Sequence, residues 1–183
     1  MESTATAITR FTGAEGPRII GPDDGEKVDI GAVFGARFLA WTEETGGGFS
    51  LVEHPIAPRG LAAPLHRHAN EDEYSFVLEG RMGAQLGDDV VEAGPGDLVF
   101  KPRGQWHSFW NAGDEPCRIL EIISPGGFER YFAELPEAIA AAAPNGAEAV
   151  GAAIAEVATR YGLELDPASI GPLCERHGLV PPA

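Results

Sequence analysis

Between residues 33 and 125, the chain alternates short apolar runs with clusters of glycine, proline and aspartate. Such a pattern is typical of short strands, because turn-forming residues reverse the chain between segments that bury one face. Turn residues of this kind stand at 87–89 and 93–96. Many short strands at close spacing predict an all-β sandwich or barrel. The apolar runs are Phe34–Trp41, Phe49–His54, Tyr74–Leu78, Met82–Leu86, Asp97–Lys101, His107–Trp110 and Cys117–Ile123.

Beyond residue 125, the apolar positions recur at helical spacing. A first helix is predicted from Phe128, and because Pro136 stands within it, the helix should kink or restart there. A second helix is predicted over 147–162, where a glycine ends it. A third, short helix is predicted over 166–178, since an Asp-Pro pair supplies its N-cap and first turn.

Three zones therefore organise the chain as one β domain with additions at both ends. Residues 1–32 are predicted to form an N-terminal arm, 33–125 a β-barrel, and 126–183 a helical extension. The apolar stripes of the extension favour a packing role, as a cover for the barrel. The alternative is a lid that controls access of solvent to a site.

Composition and charge exclude several classes of partner. The chain has 183 residues and a formal charge of −15, with 13 basic and 28 acidic residues. This balance argues against binding to nucleic acid or to an anionic membrane surface. No N-terminal signal sequence and no apolar run long enough for a membrane span is recognised, so a cytoplasmic protein is expected. Cys117 and Cys174 fit no paired motif and are expected to be free thiols, with a disulfide as the alternative.

The first candidate chemical motif reads Gly60-x5-His66-x-His68-x4-Glu73-x6-Gly80. His66 and His68 are two residues apart, so in a strand both imidazoles point to the same face and can share a metal ion. Glu73 can add a carboxylate oxygen. The alternative for Glu73 is a solvated charge.

The second motif reads Gly96-x5-Pro102-x-Gly104-x2-His107-x3-Asn111. His107 supplies a third imidazole just after a turn. Three imidazoles and one carboxylate around one ion leave coordination positions open, which is typical of a catalytic metal site. The other two histidines, His54 and His177, match neither motif and are expected to be polar surface residues.

These paired motifs resemble those of the cupin superfamily, in particular its single-domain, quercetinase-like members. Every fixed position of both motifs is present, and the resemblance covers residues 60–111 directly. It implies a cupin β-barrel or jelly roll, also called a double-stranded β-helix. It also implies one divalent ion (Fe, Mn, Ni, Co or Zn). The implied ligands, residue by residue, are His66, His68, Glu73 and His107.

Strand alternation places further residues relative to this site. Phe109 shares the face of His107 and is a candidate lining residue of a substrate pocket, whereas Trp106, Ser108 and Trp110 face outwards. On the preceding strand, Glu73 faces inwards with Ser75 and Val77. The outward residues there are Tyr74, Phe76 and Leu78.

Such large apolar residues on an outward face need a cover. A homodimer formed through this β surface is one hypothesis, and cover by the same chain is the other.

The resemblance implies several activities. A dioxygenase acting on a small aromatic or enolisable substrate is the first expectation, with Glu73 as ligand and base. The same ligands suit a non-oxidative isomerase, cyclase, dehydratase or decarboxylase. A binding module without turnover is a third interpretation, and four converging donors argue against it. A cupin barrel serving as a regulator is a fourth, but the acidic C-terminal helices lack a basic recognition helix.

Overall fold

The computed structural model describes residues 18–182, which form two β-sheets and three α-helices. Residues 1–17, the first part of the predicted N-terminal arm, lie outside the described residues. The helices are α1 (Glu129–Ala142), α2 (Ala147–Arg160) and α3 (Ile170–His177), with 3-10 turns at Thr42–Thr45, Ala143–Asn145 and Pro167–Ser169. The strands are β1 (Lys27–Ile30), β2 (Phe34–Ala40), β3 (Ser50–Ile56), β4 (Leu65–His68), β5 (Asp72–Glu79), β6 (Met82–Leu86), β7 (Asp89–Ala93), β8 (Leu98–Lys101), β9 (His107–Asn111), β10 (Cys117–Ser124) and β11 (Leu163–Asp166).

One sheet has six strands in the order β1-β2-β3-β10-β5-β8, and the other has five in the order β11-β4-β9-β6-β7. The paired strands in both sheets are antiparallel. From β3 onwards, every connection between consecutive strands crosses from one sheet to the other, except the one between β6 and β7. This arrangement is a jelly roll, so the prediction of an all-β barrel with C-terminal helices is confirmed.

The interior of the barrel is built by strict alternation along its strands. In β10, every second residue is buried from one end of the strand to the other. Val52, Val77 and Ile119, from β3, β5 and β10, are each 0% exposed. Each such aliphatic side chain contributes about 1.5–3 kcal/mol when it is removed from water, so this layer dominates the stability of the barrel.

Gly80 supplies the turn between β5 and β6. Its φ angle is 78°, and a Cβ atom at this position would lie 2.5 Å from the carbonyl oxygen of Pro116. A side chain here would be strained in backbone conformation and would collide with the neighbouring chain. The glycine at the end of the first motif is therefore a structural requirement.

Four strands lie outside the apolar runs named from the sequence: β1, β4, β7 and β11. Strand β7 is almost entirely exposed, so no buried face marks it in the sequence. Strand β11 (Leu163–Asp166) falls between two helices and pairs with β4. The C-terminal extension is therefore not purely helical, because it contributes one strand to the second sheet.

The predicted helices are present, and of the two outcomes expected at Pro136 the restart is excluded. α1 continues through Pro136 without a restart. Since proline has no N–H group, the carbonyl of Phe132 lacks its usual helical donor at that point. α2 ends at Arg160, before Gly162 with φ 67°, and α3 ends at Gly178 in the left-handed conformation.

The C-terminal residues cover the outer face of β9. Trp110 points away from the barrel interior, as expected, yet it is only 3% exposed. Its ring stacks on that of His177 at 4.5 Å between centroids, and it packs with Leu61, Leu173 and Leu179. The expectation of a surface role for His177 is therefore wrong in part, since the ring is half-buried against Trp110.

The outward face of β5 and β8 carries exposed apolar side chains. Phe76, Leu98 and Phe100 are 36%, 55% and 47% exposed. Tyr74 stacks on Phe100 at 4.8 Å between centroids. The predicted orientations along β5 are therefore observed, and this face is called the β5–β8 patch below.

The expectation that His54 is a surface residue is wrong. His54 is 0% exposed and stacks on Phe34 inside the barrel, at 4.6 Å between ring centroids. It lies on β3 with the same parity as Val52 and Ile56, and both of those residues are also buried.

Both cysteines are free thiols, as expected. Within residues 18–182, no helix is long and apolar enough to cross a membrane.

Candidate metal centre

Four buried side chains from three strands converge inside the barrel. His66 and His68 lie on β4, Glu73 near the start of β5, and His107 at the start of β9. The pairing of β4 with β9 places His66 directly opposite His107. The four residues are 5%, 1%, 3% and 1% exposed, respectively. All four ligands predicted from the sequence are therefore brought together.

The donor atoms of this group are close to one another. One nitrogen or oxygen atom from each of the four residues lies within 4.8 Å of the others. Oε2 of Glu73 is 3.4 Å from Nε2 of His68 and 3.3 Å from Nε2 of His107. The ring centroids of His66 and His107 are 4.1 Å apart. The group is thus compact enough to surround a single ion.

Hydrogen bonds to the backbone orient two of the imidazoles. Nδ1 of His66 lies 2.8 Å from the carbonyl oxygen of Pro64, and Nδ1 of His107 lies 3.0 Å from that of Gln105. A proton on Nδ1 satisfies each carbonyl, which leaves the Nε2 lone pair free to bind a metal. Backbone geometry thus selects the tautomer that a metal ligand requires.

The remaining polar atoms of the cluster show that a cation fits it. Nε2 of His68 and Nε2 of His107 are buried and make no hydrogen bond, and the buried Oε2 of Glu73 between them is contacted only from its far side, by Lys101. Buried polar atoms without partners are costly, so such a concentration of them needs a physical account. A divalent ion would satisfy all three atoms at once, and the donor set of imidazole and carboxylate suits Zn, Fe, Mn, Ni or Co.

Burial keeps His66 and His107 neutral. Desolvation lowers the pKa of His66 well below its usual value, and the neighbouring His107 and His68 lower it further. Desolvation also lowers the pKa of His107, although Glu73 opposes this change. Neutral imidazoles are the form that binds metal ions.

Glu73 was preferred to Glu71 as a ligand on spacing alone, and the structure places Glu73 in the cluster. Glu71 is also buried, at 7% exposure, but it lies on the other side of His68. Its Oε2 atom is 3.6 Å from Nδ1 of His68. Glu71 therefore lies behind His68, beyond hydrogen-bond distance, and is not among the donor residues of the cluster.

A buried lysine contacts Glu73 from the far side. Nζ of Lys101 lies 2.9 Å from Oε2 of Glu73 and 3.0 Å from Oε2 of Glu121. Ser75 donates a hydrogen bond of 2.8 Å to Oε2 of Glu121. Lys101, Glu121 and Ser75 are 1%, 1% and 0% exposed. These three residues are called the Lys101 network below.

The charges of this network shift one another. Burial raises the pKa of Glu73, but the electrostatic effects of His68 and of the Lys101 ammonium outweigh it and hold that pKa well below the usual value. Burial alone would lower the pKa of Lys101, yet Glu121 and Glu73 raise it. Burial raises the pKa of Glu121 to about 7, against the opposing effect of Lys101. Lys101 is therefore a permanent cation beside the cluster.

Two phenylalanines wall the cluster. Phe109 faces inwards as predicted, at 5% exposure, and its ring centroid lies 6.5 Å from that of His66. Nζ of Lys101 lies 4.5 Å from the centroid of the same ring. Phe128, just before α1, packs edge-on against His68 with 4.3 Å between centroids. The sequence did not indicate the role of Phe128.

The family model for the cupin domain matches residues 53–123. This region is a cupin domain. It contains all four residues of the cluster, and buried histidine and glutamate groups of this kind are typical of cupins.

Relatives of the domain carry names that point to different reactions. The tetracenomycin polyketide synthase protein TcmJ of Streptomyces glaucescens is 27% identical over 89 residues, 49% of this chain and 60% of TcmJ. Quercetin 2,3-dioxygenase of Bacillus subtilis is 24% identical over 128 residues, 70% of this chain and 37% of that enzyme. The structure of the polyketide cyclase RemF from Streptomyces resistomycificus is similar with a TM-score of 0.51 and 29% identity, over 59% of this chain and 79% of RemF. The chain spans 60% or less of the length of the curated relatives.

Proposed function

We propose that this protein is a metal-dependent enzyme acting on a small aromatic or enolisable molecule. The observation that carries the proposal is the convergence of four buried donor residues, in which Nε2 of His68 and of His107 make no hydrogen bond and the imidazole of His66 is oriented by the backbone. A binding module without turnover has no need of four converging donors. The open coordination positions that such a set leaves are those of a catalytic site.

The four cluster residues have distinct tasks in this proposal. His66, His68 and His107 hold a divalent ion through neutral nitrogens, and Glu73 adds the one negative charge. The ion would supply Lewis acidity toward an enolate or phenolate oxygen. Glu73 is the proposed catalytic carboxylate. Because Lys101 already contacts its Oε2 atom, Glu73 is a weak base and serves better as a ligand.

The surroundings of the cluster favour an aromatic substrate. Phe109 and Phe128 present apolar rings to the imidazoles. The four cluster residues are 5% exposed or less, so a substrate reaches them only after a wall residue has moved. Phe128 is the wall residue on the C-terminal extension, which gives that extension a role in access as well as in packing.

Dioxygenation is the first reaction that we propose. The likeness to quercetin 2,3-dioxygenase extends over 70% of this chain, more than the cupin domain alone. A redox-active ion held by three imidazoles and a carboxylate can serve O₂ chemistry on an electron-rich ring. The whole chain covers only 37% of that enzyme, so its substrate is not carried over.

A non-oxidative reaction is the second candidate. RemF is a polyketide cyclase and TcmJ is a polyketide synthase protein by name, and both match this chain. A Lewis-acidic ion in the same cluster would promote cyclisation or dehydration of a polyketide-like substrate without O₂. The two candidates share one substrate chemistry and differ in their need for oxygen.

One experiment separates these candidates. Protein purified without chelator is analysed for metals beside the His66→Ala variant, and the wild type is then loaded with Fe(II), Mn(II), Ni(II) or Zn(II). Flavonols, catechols and diketones are offered while O₂ and substrate are followed. Oxygen consumption with Fe, Mn or Ni but not Zn supports the dioxygenase. Conversion that persists with Zn and without O₂ supports the non-oxidative enzyme. Absence of metal binding by the wild type contradicts both.

A further inference from the structure

The Lys101 network is an unusual element inside a small barrel. Lys101 is paired across the β5–β8 ladder with Glu73, and Glu121 is paired across the β5–β10 ladder with Ser75. All of these positions face inwards, at sites where a barrel normally carries aliphatic residues. The network therefore places one ammonium and one extra carboxylate against the candidate metal centre.

Stability does not explain such a network. Removing charged groups from water is costly, and buried ion pairs are often no more stabilising than apolar residues of similar size. The ammonium of Lys101 is also a cation beside a site for a divalent cation, which weakens metal binding unless another charge compensates. Glu121 supplies that compensation, because its Oε2 atom contacts the same ammonium. Burying Lys101 and Glu121 is costly for folding, but their opposite charges cancel and add no net charge beside the metal site.

We propose that Lys101, anchored by Glu121 and Ser75, is a positioning residue that fixes the carboxylate of Glu73 for the metal ion. The inference rests on the proposed function, since it requires that Glu73 is a ligand. Lys101 holds Oε2 at 2.9 Å and the ring of Phe109 borders the ammonium at 4.5 Å, so neither lysine nor carboxylate is free to rotate. One oxygen atom thus faces the ammonium on one side and Nε2 of His68 and of His107 on the other.

The double variant Lys101→Met/Glu121→Met tests this role with the charge held constant. It deletes one positive and one negative charge. At about pH 8, where Glu121 is ionised, the net charge of the network together with Glu73 is therefore unchanged. The buried charge that loses its ion-pair partner is the Glu73 carboxylate, which the metal ion itself would neutralise, and methionine is close in volume to both residues. Any change in metal binding therefore reports on the orientation of Glu73 and not on net charge.

Cobalt is the probe, because the visible absorption of Co(II) reports on its ligands. We expect the double variant to bind Co(II) at least about 10-fold more weakly than the wild type in competition with a chelator, the loss typical of a missing outer-shell partner. Its absorption bands should also shift. A double variant that matches the wild type in affinity and spectrum overturns the positioning role, even if its melting temperature has changed. A wild type that binds no Co(II) refutes instead the metal site itself.

Ser75→Ala provides a milder test that keeps both charges. It removes only the hydroxyl that holds Glu121. The same shift in the Co(II) bands should appear in smaller degree, with a loss of affinity of about 2-fold to 5-fold. If the double variant fails to fold, an unchanged spectrum in Ser75→Ala overturns the proposal.

Discussion

The ring of Phe128 packs edge-on against the imidazole of His68, with 4.3 Å between their centroids. This contact joins the C-terminal extension to the candidate metal centre. The following residue, Glu129, is 0% exposed, and its carboxylate accepts hydrogen bonds from the backbone N–H groups of Thr42 and Gly127 at 2.9 and 2.7 Å. Phe128 is thus held over His68 by a buried anchor.

Replacing Phe128 with alanine should both destabilise the protein and open the metal site. Loss of a buried aromatic side chain typically costs about 3–5 kcal/mol in the free energy of unfolding. Urea unfolding measures that loss, and the rate at which a chelator removes Co(II) measures access. Phe100→Ala is the matched control, since Phe100 is 47% exposed on the β5–β8 patch. Equal chelation rates in the two variants would show that Phe128 does not shield the site.

The His107→Ala variant should lose the bound metal, because it removes one of three imidazoles. Outright loss of a ligand is expected to exceed the roughly 10-fold to 100-fold weakening that follows removal of an outer-shell partner. Elemental analysis of protein purified without chelator measures this directly. His177→Ala is the control, because His177 stacks on Trp110 and lies outside the cluster. Stoichiometric metal in His107→Ala would remove His107 from the ligand set.

Much of the candidate site could be predicted from the sequence because strand alternation and motif spacing are local properties. The pair His66 and His68 must share a face in any strand, and the register of β4 with β9 then brings His107 opposite His66. The orientation of Phe109 follows from the same rule. The face that each side chain occupies depends on its own strand alone, whereas the meeting of His66 with His107 also depends on the register between β4 and β9.

Strand alternation also predicts which polar and charged side chains point into the barrel. His54 has the parity of Val52 on β3, and Glu121 has the parity of Ile119 on β10, so both could have been placed inside. Polarity favoured a surface position for His54, since such residues are usually exposed, and no position was predicted for Glu121. Phe128 is a different case. Its contact with His68 depends on how α1 packs across the barrel, which no local pattern records.

His54 should make the protein sensitive to acid. Desolvation lowers its pKa to about 4, although the carbonyl of Gly35 opposes this through a hydrogen bond. Below pH 6.5 the unfolded chain takes up a proton that the folded chain rejects, so this stabilisation is present above pH 6.5 and is lost as the pH falls toward 4.

The His54→Gln variant isolates that effect. Carboxylates titrate alike in both proteins, so their contribution cancels. Relative to the variant, the wild type should lose about 2–3 kcal/mol of unfolding free energy as the pH falls from roughly 7.5 to 4.5. Urea unfolding at both pH values measures it. A difference that stays constant with pH would contradict a buried neutral His54.

The β5–β8 patch bears on the homodimer, which remains a prediction. Leu98 is 55% exposed and lies near Phe76 and Phe100 on a strand at the edge of its sheet. If two copies associate through this face, Leu98→Glu places a charge in an apolar interface and should convert a dimer to a monomer. Light scattering at micromolar concentration measures the mass. Val90→Glu on β7, at 48% exposure, is the control, and a monomeric wild type would refute the dimer.

The C-terminal extension should support the metal centre through β11, since Leu163 pairs with His68 and Leu165 with His66. Leu163 is 6% exposed, so Leu163→Ala should lower the free energy of unfolding by about 2–4 kcal/mol. It should also weaken Co(II) binding, because β4, which carries two of the proposed ligands, loses packing from β11. Glu164→Ala on the same strand is the control. Its ion pair with Arg67 is exposed, so its loss should cost less than about 1 kcal/mol. Unchanged melting and Co(II) affinity in Leu163→Ala would refute the supporting role of β11, and would leave α1 as the part of the extension that acts on the site.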